Sequence, residues 1–426
     1  MGGGGTGAAG VVDAVFRDEW GRLLALLVAQ FRRLDLAEDG LADAFEAAAR
    51  RWPDDGVPDN PPAWLLTTAR RRVLDRLRAE AVAARKEPML VVAAEVSQQA
   101  AAVLADPGGL IGDERLRLVF LCAHPALAPG SAAALSLRLV LGIATVDVAR
   151  LFLVPEPTMA ARLTRAKRRL AATGAPFEAP VGDARRARLV TVAEVAYLAF
   201  TAGYAPGTGP DVTRVEVAGE AIRLTRVLCE LMPGEPMLES LLALMLLQHS
   251  RRDQRSDELG RPVLLPDQDR SAWHHDEIRE ALALLAPLAR RVLDAPAAVY
   301  QLQALIAAEH AIAPDAAATR WDRIAERYAE LEALSPSPVV RLARAVAVAE
   351  AQGPRAGLHL LDGLDDQLSH SHRLPAVRAE LLSRAGDIDG ADAAYVLAIE
   401  RCANDAERAL LVQRRADLSP EAHPSP

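Results

Sequence analysis

Apolar side chains recur every three or four residues along most of this chain, which is the spacing of one face of an α-helix. Runs in which apolar and polar residues alternate, as they do in half-buried strands, are hard to find. Alanine and leucine dominate, and only 4% of the residues are aromatic. The pattern predicts an all-α protein, and a chain of 426 residues is long enough for several hydrophobic cores.

Residues 143–170, IATVDVARLFLVPEPTMAARLTRAKRRL, contain two short amphipathic stretches separated by a break at Val154 and Pro155. The second stretch ends in a basic cluster, and Thr145 is predicted to cap the first. This arrangement is typical of a helix-turn-helix whose second helix enters the major groove of DNA. A basic cluster at the end of a helix can also be a solvated face, but the spacing favours DNA binding.

A helical wheel divides the second of these helices into two faces. The predicted inward residues are Met159, Leu163, Ala166 and Leu170. The predicted DNA contacts are Thr158, Ala161, Thr164, Arg165 and Arg168, flanked by Arg162 and Arg169. The outward set can reach base edges and phosphates, and the flanking arginines suit phosphates.

Three helices are predicted before this module. The first spans residues 11–31, and the second begins near Leu36, carries Glu38 and Asp39 in its first turn and ends at Trp52 and Pro53. Asn60 is the expected cap of a third helix over residues 61–80.

The third helix has an apolar face of Leu66, Ala69, Val73 and Leu77. Its other side carries an aromatic residue, hydroxyls and arginines, namely Trp64, Thr67, Thr68, Arg71, Arg72 and Arg78. Such a surface suits phosphates together with an unstacked base. The alternative is a solvated face with Trp64 packed on a neighbouring helix.

The acidic charge of the chain is unevenly distributed. Residues 1–182 contain 22 basic and 21 acidic residues, whereas residues 183–426 contain 27 and 36. The net charge of −8 therefore does not exclude DNA binding by the first part. The acidic second part suggests a domain that masks the basic recognition helix.

No pattern of catalytic or metal-binding residues stands out. The three cysteines are far apart and form no C-x-x-C pair, and His370 and His372 lie in a predicted loop where ordinary structural roles are favoured. There is no phosphate-binding glycine loop, nucleophile elbow, membrane-length apolar run or secretory signal. We predict a cytoplasmic protein that is not an enzyme, uses no metal or other cofactor and has no membrane partner.

Beyond residue 180 the chain is a succession of Ala/Leu-rich helices. Gly386, Ala391, Tyr395 and Ala398 follow the pattern of the second helix of a tetratricopeptide repeat, and Gly353, Ala356 and Leu360 echo it. The pattern predicts a TPR-like α-solenoid over residues 183–418, in which small residues let paired helices pack closely.

Two motifs in this order, NPPAWLLTTARRRVLDRLR and ATVDVARLFLVPEPTMAARLTRAKRRL, carry a family resemblance. Together with the helix before them, they resemble the extracytoplasmic-function (ECF) class of bacterial RNA polymerase sigma factors over about residues 11–172. Five segments resemble a branch of that class with a long helical C-terminal extension, and they span residues 51–70, 113–127, 264–273, 300–310 and 335–348.

The resemblance implies partners and roles. Asp39, Asp43 and Phe45 match positions that bind core RNA polymerase. The Trp64 face of the third helix would melt and bind the −10 promoter element, and the recognition helix would bind the −35 element. The implied organisation is a tail (1–10), a sigma region 2-like domain (11–80), a linker (81–112), a sigma region 4-like domain (113–172), the helical domain (183–418) and a tail (419–426). The helical domain would have a regulatory role or bind a protein regulator.

Three functions are compatible with these features. The favoured one is a sigma factor that directs core polymerase to promoter DNA and starts transcription. The second is a stand-alone helix-turn-helix regulator with a solenoid effector domain, which leaves the Trp64 helix unexplained. The third is a scaffold in which the solenoid carries the function.

Overall fold

A computed structural model of the chain describes residues 5–84, 107–152, 154–204, 215–257 and 261–418. Within these ranges the fold is all-α, as predicted, and the only β pairing is an isolated antiparallel bridge between Ser256 and Pro262. None of the helices in these ranges is both long and apolar enough to cross a membrane. The chain divides into two compact units, Met1–Ala199 with Glu230–Pro233 and Phe200–Cys229 with Gly234–Pro426.

Seven helices lie wholly within the described part of the first unit. They are α1 (Gly5–Phe31), α2 (Leu34–Asp55), α3 (Pro61–Ala84), α4 (Pro107–Cys122), α5 (Pro129–Val140), α6 (Thr145–Leu151) and α7 (Glu156–Thr173). Helix α8 (Gly182–Tyr204) runs from the first unit into the second.

Several boundaries differ from the sequence predictions. Helix α1 begins at Gly5, so residues 5–10 of the predicted tail are helical, because Thr6, Ala8 and Ala9 continue the helix without a breaker other than glycine. Residues 1–4 and 419–426 of the predicted tails and residues 85–106 of the predicted linker lie outside the described residues. Residues 107–112 of that linker belong to α4.

Helix α2 is longer than predicted at both ends. It begins at Leu34, so Asp35 and not Glu38 is the acidic residue of its first turn. It also continues past Pro53 to Asp55, and the N–H of Gly56 donates to the Trp52 carbonyl at 3.1 Å, which closes the last turn. Helices α2 and α3 pack closely at Gly40, where a Cβ would lie 2.7 Å from Val73 Cγ2.

Helix α1 joins the N-terminal helices to the helices that follow, because it packs on α2 and α3 and also on α4 and α5. At Gly21 a Cβ would lie 2.0 Å from the carbonyl oxygen of Val140, so only glycine allows this approach. Gly142 has a φ of 75° and lies against the indole of Trp20, which is 1% exposed. The helix-turn-helix segment is thereby packed against the N-terminal helices in one compact unit.

The second unit contains a succession of helices, and from Pro236–His249 onward each packs on its neighbour in the sequence. They are α9 (Val215–Leu231, whose last residues belong to the first unit), α10 (Pro236–His249), α11 (His275–Leu288), α12 (Ala295–Ile312), α13 (Trp321–Leu334), α14 (Pro338–Gln352), α15 (Pro354–Leu360), α16 (Arg373–Ala385), α17 (Ile388–Arg401) and α18 (Asp405–Ala416). Three short 3-10 turns, Arg252–Gln254, Leu265–Asp267 and Arg270–Ala272, lie between α10 and α11.

Small residues allow close helix packing at the end of this unit, in agreement with the TPR-like prediction. A Cβ at Gly357 would lie 2.6 Å from the carbonyl oxygen of Ala345, so α15 and α14 are in backbone contact there. In α17, Ala391, Tyr395 and Ala398 are buried. Helix α16 ends at Ala385, and its C-cap residue Gly386 has a φ of 90°, which turns the chain into α17.

Candidate nucleic-acid interface

Helix α3 begins where the sequence predicts. The side-chain oxygen of Asn60 accepts a hydrogen bond from the backbone N–H of Ala63 at 3.1 Å, and Pro61 is the first helical residue. Leu66, Ala69 and Val73 are buried, so the apolar face of the helix packs on the rest of the unit. The opposite face is therefore directed towards solvent.

The six residues predicted to contact the −10 element lie on or beside that face. Thr67, Arg71, Arg72 and Arg78 are exposed, whereas Trp64 and Thr68 are half-buried. Among the described residues, Arg71 and Arg72 have no ion-pair partner, while Arg78 pairs with Asp75 at 3.1 Å. The Trp64 ring packs edge-on against Trp52, with 5.6 Å between ring centroids, so its exposed part is limited to one side.

Helices α6 and α7 form the predicted pair with a short turn between them. Val148 and Ala149 are buried, and the N–H of Val154 donates to the Ala149 carbonyl at 3.1 Å, which fixes the turn. The prediction that Thr145 caps α6 is wrong: the cap residue is Ala144, whose side chain cannot cap, and Thr145 is the first helical residue.

The two faces of α7 follow the helical wheel. The buried residues of the helix are Met159, Leu163, Ala166 and Leu170, as predicted. The residues predicted to contact the −35 element have exposed or half-buried side chains: Thr158, Ala161, Thr164, Arg165, Arg168 and Arg169 are exposed, and Arg162 is half-buried.

The basic side chains of α7 differ in what they contact. The guanidinium of Arg162 lies over the Phe152 ring, 5.9 Å from its centroid. Arg165 Nε donates to the carbonyl of Ala161 at 3.3 Å, within its own helix. Within the described ranges, Arg168 and Arg169 have no ion-pair partner, so both can bind phosphate without losing an internal contact.

Sequence reasoning missed a buried ionic cluster between the two halves of this unit. Glu38, 6% exposed on α2, accepts from Arg138 Nε at 3.0 Å and from Lys167 Nζ at 2.7 Å. Arg138 also lies over the Trp20 ring, 5.1 Å from its centroid. On the wheel, Lys167 is only about 40° from Leu163, and this position on the inward side is the signal that distinguishes it from its basic neighbours.

The residues predicted to bind core polymerase are not equally accessible. Asp39 is exposed and Asp43 half-buried, and both carboxylates pair with Arg76, at 3.1 and 2.9 Å. Phe45 is 5% exposed and packs edge-on against Phe16, with 4.9 Å between centroids. A partner that docks on this surface can therefore contact the two aspartates, whereas Phe45 belongs to the hydrophobic core.

One group of metal-ligand types occurs in the second unit, where His372, Cys402 and Glu407 present ligand atoms within 4.8 Å of one another. These side chains already have protein partners, since His372 Nε2 lies 2.9 Å from Glu407 and the Cys402 thiol donates to the Asn404 carbonyl at 3.3 Å. Burial raises the pKa of the Cys402 thiol, which disfavours the thiolate that binds metal. The group is consistent with a structural contact between α16, α17 and α18.

Comparisons with known proteins place parts of the chain in described families. Residues 16–82 match sigma-70 region 2, and residues 188–311 match DUF6596, a family of unknown function. A protein of Rhizobium meliloti (strain 1021), described as uncharacterized protein R00370, is 38% identical over 412 residues, which is 97% of each chain. Among solved structures, yeast Tom70 aligns with 90% of this chain and 81% of its own at 16% identity, with a TM-score of 0.29, too low to support an argument.

Proposed function

The chain belongs to the sigma-70 family of RNA polymerase sigma factors, in a branch with a long helical C-terminal extension, and from this premise we propose that it is an ECF sigma factor. In this role it directs core polymerase to specific promoters and starts transcription. The N-terminal helices contact the −10 element, the helix-turn-helix contacts the −35 element, and the extension has a regulatory or protein-interaction role.

The observation that carries the proposal is the pair of exposed basic faces on α3 and α7. Each face carries two arginines without an ion-pair partner in the described parts of the chain, Arg71 and Arg72 on α3 and Arg168 and Arg169 on α7. No carboxylate in those parts of the chain neutralises these side chains, so their charge is available to bind phosphates. The α7 face also presents Thr158 and Thr164, whose hydroxyls can reach base edges. Two separate basic faces suit a protein that contacts two promoter elements.

The α3 face combines charge with an aromatic ring. Trp64 is half-buried and braced by Trp52, so its ring has a fixed position on the helix. A braced ring can stack on an unpaired base at little entropic cost, and stacking offsets the few kcal/mol required to unstack that base from the duplex. We therefore assign strand opening to α3 and duplex binding to α7.

Core polymerase is the partner that this function requires. We propose that Asp39 and Asp43 form the acidic contact, because both lie on the solvent side of α2 and are held by Arg76. Phe45 supports that surface from beneath through its packing on α1, with no direct contact to polymerase.

Run-off transcription with purified core polymerase tests the proposal. The template is a promoter identified by mapping transcript starts in cells that overexpress the protein. The expected result is a transcript that depends on both the protein and core polymerase. A protein that binds this DNA tightly without polymerase and starts no transcript would instead be a stand-alone regulator.

Matched variants separate the two faces. The double variant Arg71→Ala/Arg72→Ala is expected to reduce permanganate reactivity of thymines in the −10 region while the −35 footprint persists. Arg168→Ala/Arg169→Ala is expected to weaken the −35 footprint. Arg185→Ala on α8, an exposed arginine outside both faces, is the control and should leave both signals unchanged.

A further inference from the structure

Arg162 differs from the other arginines of α7 in its surroundings. Arg165, Arg168 and Arg169 are exposed. Arg162 is half-buried, and its Cζ lies over the Phe152 ring, 5.9 Å from the ring centroid. This distance is within the range of a cation–π contact. Among the described residues, Arg162 is therefore the arginine of the α7 face that an aromatic ring supports.

The contact follows from the direction of side chains on a helix. Arg162 lies in the second turn of α7, and helical side chains point back towards the N-terminus of their helix. The guanidinium of Arg162 consequently extends over the preceding turn, towards the segment that joins α6 to α7. Phe152 is the first residue of that segment, directly after the end of α6. A ring at this position is placed to meet the guanidinium.

The backbone that carries the Phe152 ring is anchored to α6. The N–H of Phe152 donates to the Val148 carbonyl at 3.1 Å. The N–H of Val154 donates to the Ala149 carbonyl, also at 3.1 Å, so both ends of the turn are bonded to the same helix. Val148, Ala149 and Leu151 are buried. The ring is thus attached to a fixed corner of the helix-turn-helix.

An aromatic ring can hold a guanidinium without using its N–H donors. A carboxylate accepts those hydrogen bonds and neutralises the charge, as Asp75 does for Arg78 on α3. A ring face attracts the cation through its quadrupole instead. Within the described ranges, the Arg162 guanidinium makes no hydrogen bond or ion pair. Its N–H groups and its charge are therefore available to an anion.

We propose that Phe152 is a positioning residue, which holds the Arg162 guanidinium in the orientation that binds a phosphate of the −35 element. The inference rests on the proposed function, which supplies the DNA. An unsupported arginine loses side-chain entropy when it binds, and support by the ring before binding reduces that loss. Phosphate is the partner that combines opposite charge with acceptor oxygens at the edge of the groove.

Side-chain NMR relaxation of the free full-length chain tests the support in the absence of DNA. The order parameter of Arg162 Nε is expected to exceed that of Arg169, which is exposed on the same side of α7 about two turns later. Phe152→Leu keeps an apolar side chain but removes the ring, so it should lower the Arg162 value to that of Arg169. Phe152→Tyr keeps the ring and should preserve the difference.

A double-mutant cycle in promoter binding by the polymerase complex tests the role. Phe152→Leu is expected to weaken binding about two- to fivefold, and Phe152→Tyr should retain the affinity that depends on the ring. In the Arg162→Ala background, Phe152→Leu should cause no further loss. In the Arg169→Ala background, which is the matched control, the loss of about two- to fivefold should remain. A residue that only supported the turn would weaken binding equally in both backgrounds.

Two results would overturn the inference. One is an equal order parameter for Arg162 and Arg169 in the unmodified chain, a comparison that needs no substitution and no assumption about the folding of a variant. The other is an equal effect of Phe152→Leu in the two arginine backgrounds, in chains whose melting curves match. Failure of the proposed function is a different result, because the unmodified chain would then bind no promoter with core polymerase, while the order parameters still report on the support of Arg162.

Discussion

Lys167 of the recognition helix and Glu38 of α2 form an ion pair, with 2.7 Å between Nζ and Oε2 and only 7% of the glutamate side chain exposed. The other carboxylate oxygen of Glu38 pairs with Arg138 at 3.0 Å. One acidic group thus joins α2 to both α5 and α7. Lys167 is committed to the protein in this arrangement, while Arg168 and Arg169 remain exposed.

Substitution Glu38→Gln is expected to loosen this junction. The change leaves two cations, whose side chains are 16% and 28% exposed, without their counter-charge. Breaking a buried pair by removing one partner is strongly destabilising, and partial exposure of the cations reduces the effect here to about 2–3 kcal/mol. Hydrogen exchange measures this loss of stability, and peptides from α5 and α7 should exchange faster in the Glu38→Gln chain than in the unmodified chain.

The control is Glu46→Gln on the same helix. Glu46 pairs with Arg50 at 3.2 Å, but both side chains are more than half exposed, so its loss is expected to change stability by about 0.5 kcal/mol or less. Similar exchange rates in the two variants would mean that the buried cluster does not hold α5 and α7 in place.

Gly21 provides a second test of the same packing. In Gly21→Ala the new methyl group would lie 2.0 Å from the Val140 carbonyl oxygen, which is backbone and cannot rotate away. The expected loss is about 2–3 kcal/mol, measured as a lower urea midpoint of the first unit.

Gly10→Ala, in the same helix, is the matched control. Apart from its chain neighbours and the backbone of its own helix, nothing lies within 4 Å of its Cβ position, so alanine there should stabilise the helix by about 0.5–1 kcal/mol. A Gly21→Ala chain that is as stable as the Gly10→Ala chain would contradict the close approach of α1 and α5.

Helical periodicity was sufficient to predict the features that depend on one helix. The inward side of α7 and the Asn60 cap of α3 are local, because burial repeats every three to four residues and a cap bonds within one turn. The prediction that Thr145 caps α6 is wrong because the helix starts at that residue instead of after it. The exact residue at which a helix starts depends on the backbone geometry there, and the residue type only biases that geometry.

Features that depend on contacts between distant segments could not be predicted in this way. Glu38 and Lys167 are 129 residues apart, and a wheel shows which side of a helix a residue occupies but not what it meets there.

Stability of the second unit is expected to fall in mild acid because of His310. Its pKa is lowered from 6.5 to about 4, mainly by burial and further by Arg251 and Arg270. The unfolded chain therefore takes up a proton as the pH falls through 6.5, whereas the folded chain does not until near pH 4, so folding is penalised progressively between these values. The loss between pH 7 and pH 5 is about 2 kcal/mol.

Hydrogen exchange of α12 peptides at the two pH values, corrected for the intrinsic pH dependence of exchange, measures this loss. His310→Gln removes the titrating group and is expected to reduce the difference between pH 7 and pH 5. His275→Gln, at an exposed position of α11, is expected to retain it. An identical pH dependence in all three chains would show that His310 is not the group responsible.

Arg165 tests the proposed −35 contact at the level of one side chain. It is exposed on α7, and its internal hydrogen bond is to the Ala161 carbonyl of its own helix, so Arg165→Ala should leave the fold intact. If the guanidinium contacts a base edge or a phosphate, the variant loses about 1–3 kcal/mol of promoter affinity.

Competition binding of the polymerase complex with duplexes altered at single −35 positions distinguishes the two contacts. A base contact relaxes discrimination at one position, whereas a phosphate contact weakens all duplexes equally and reduces the salt dependence of binding. Affinity equal to that of the Arg185→Ala control, at every duplex, would remove Arg165 from the interface.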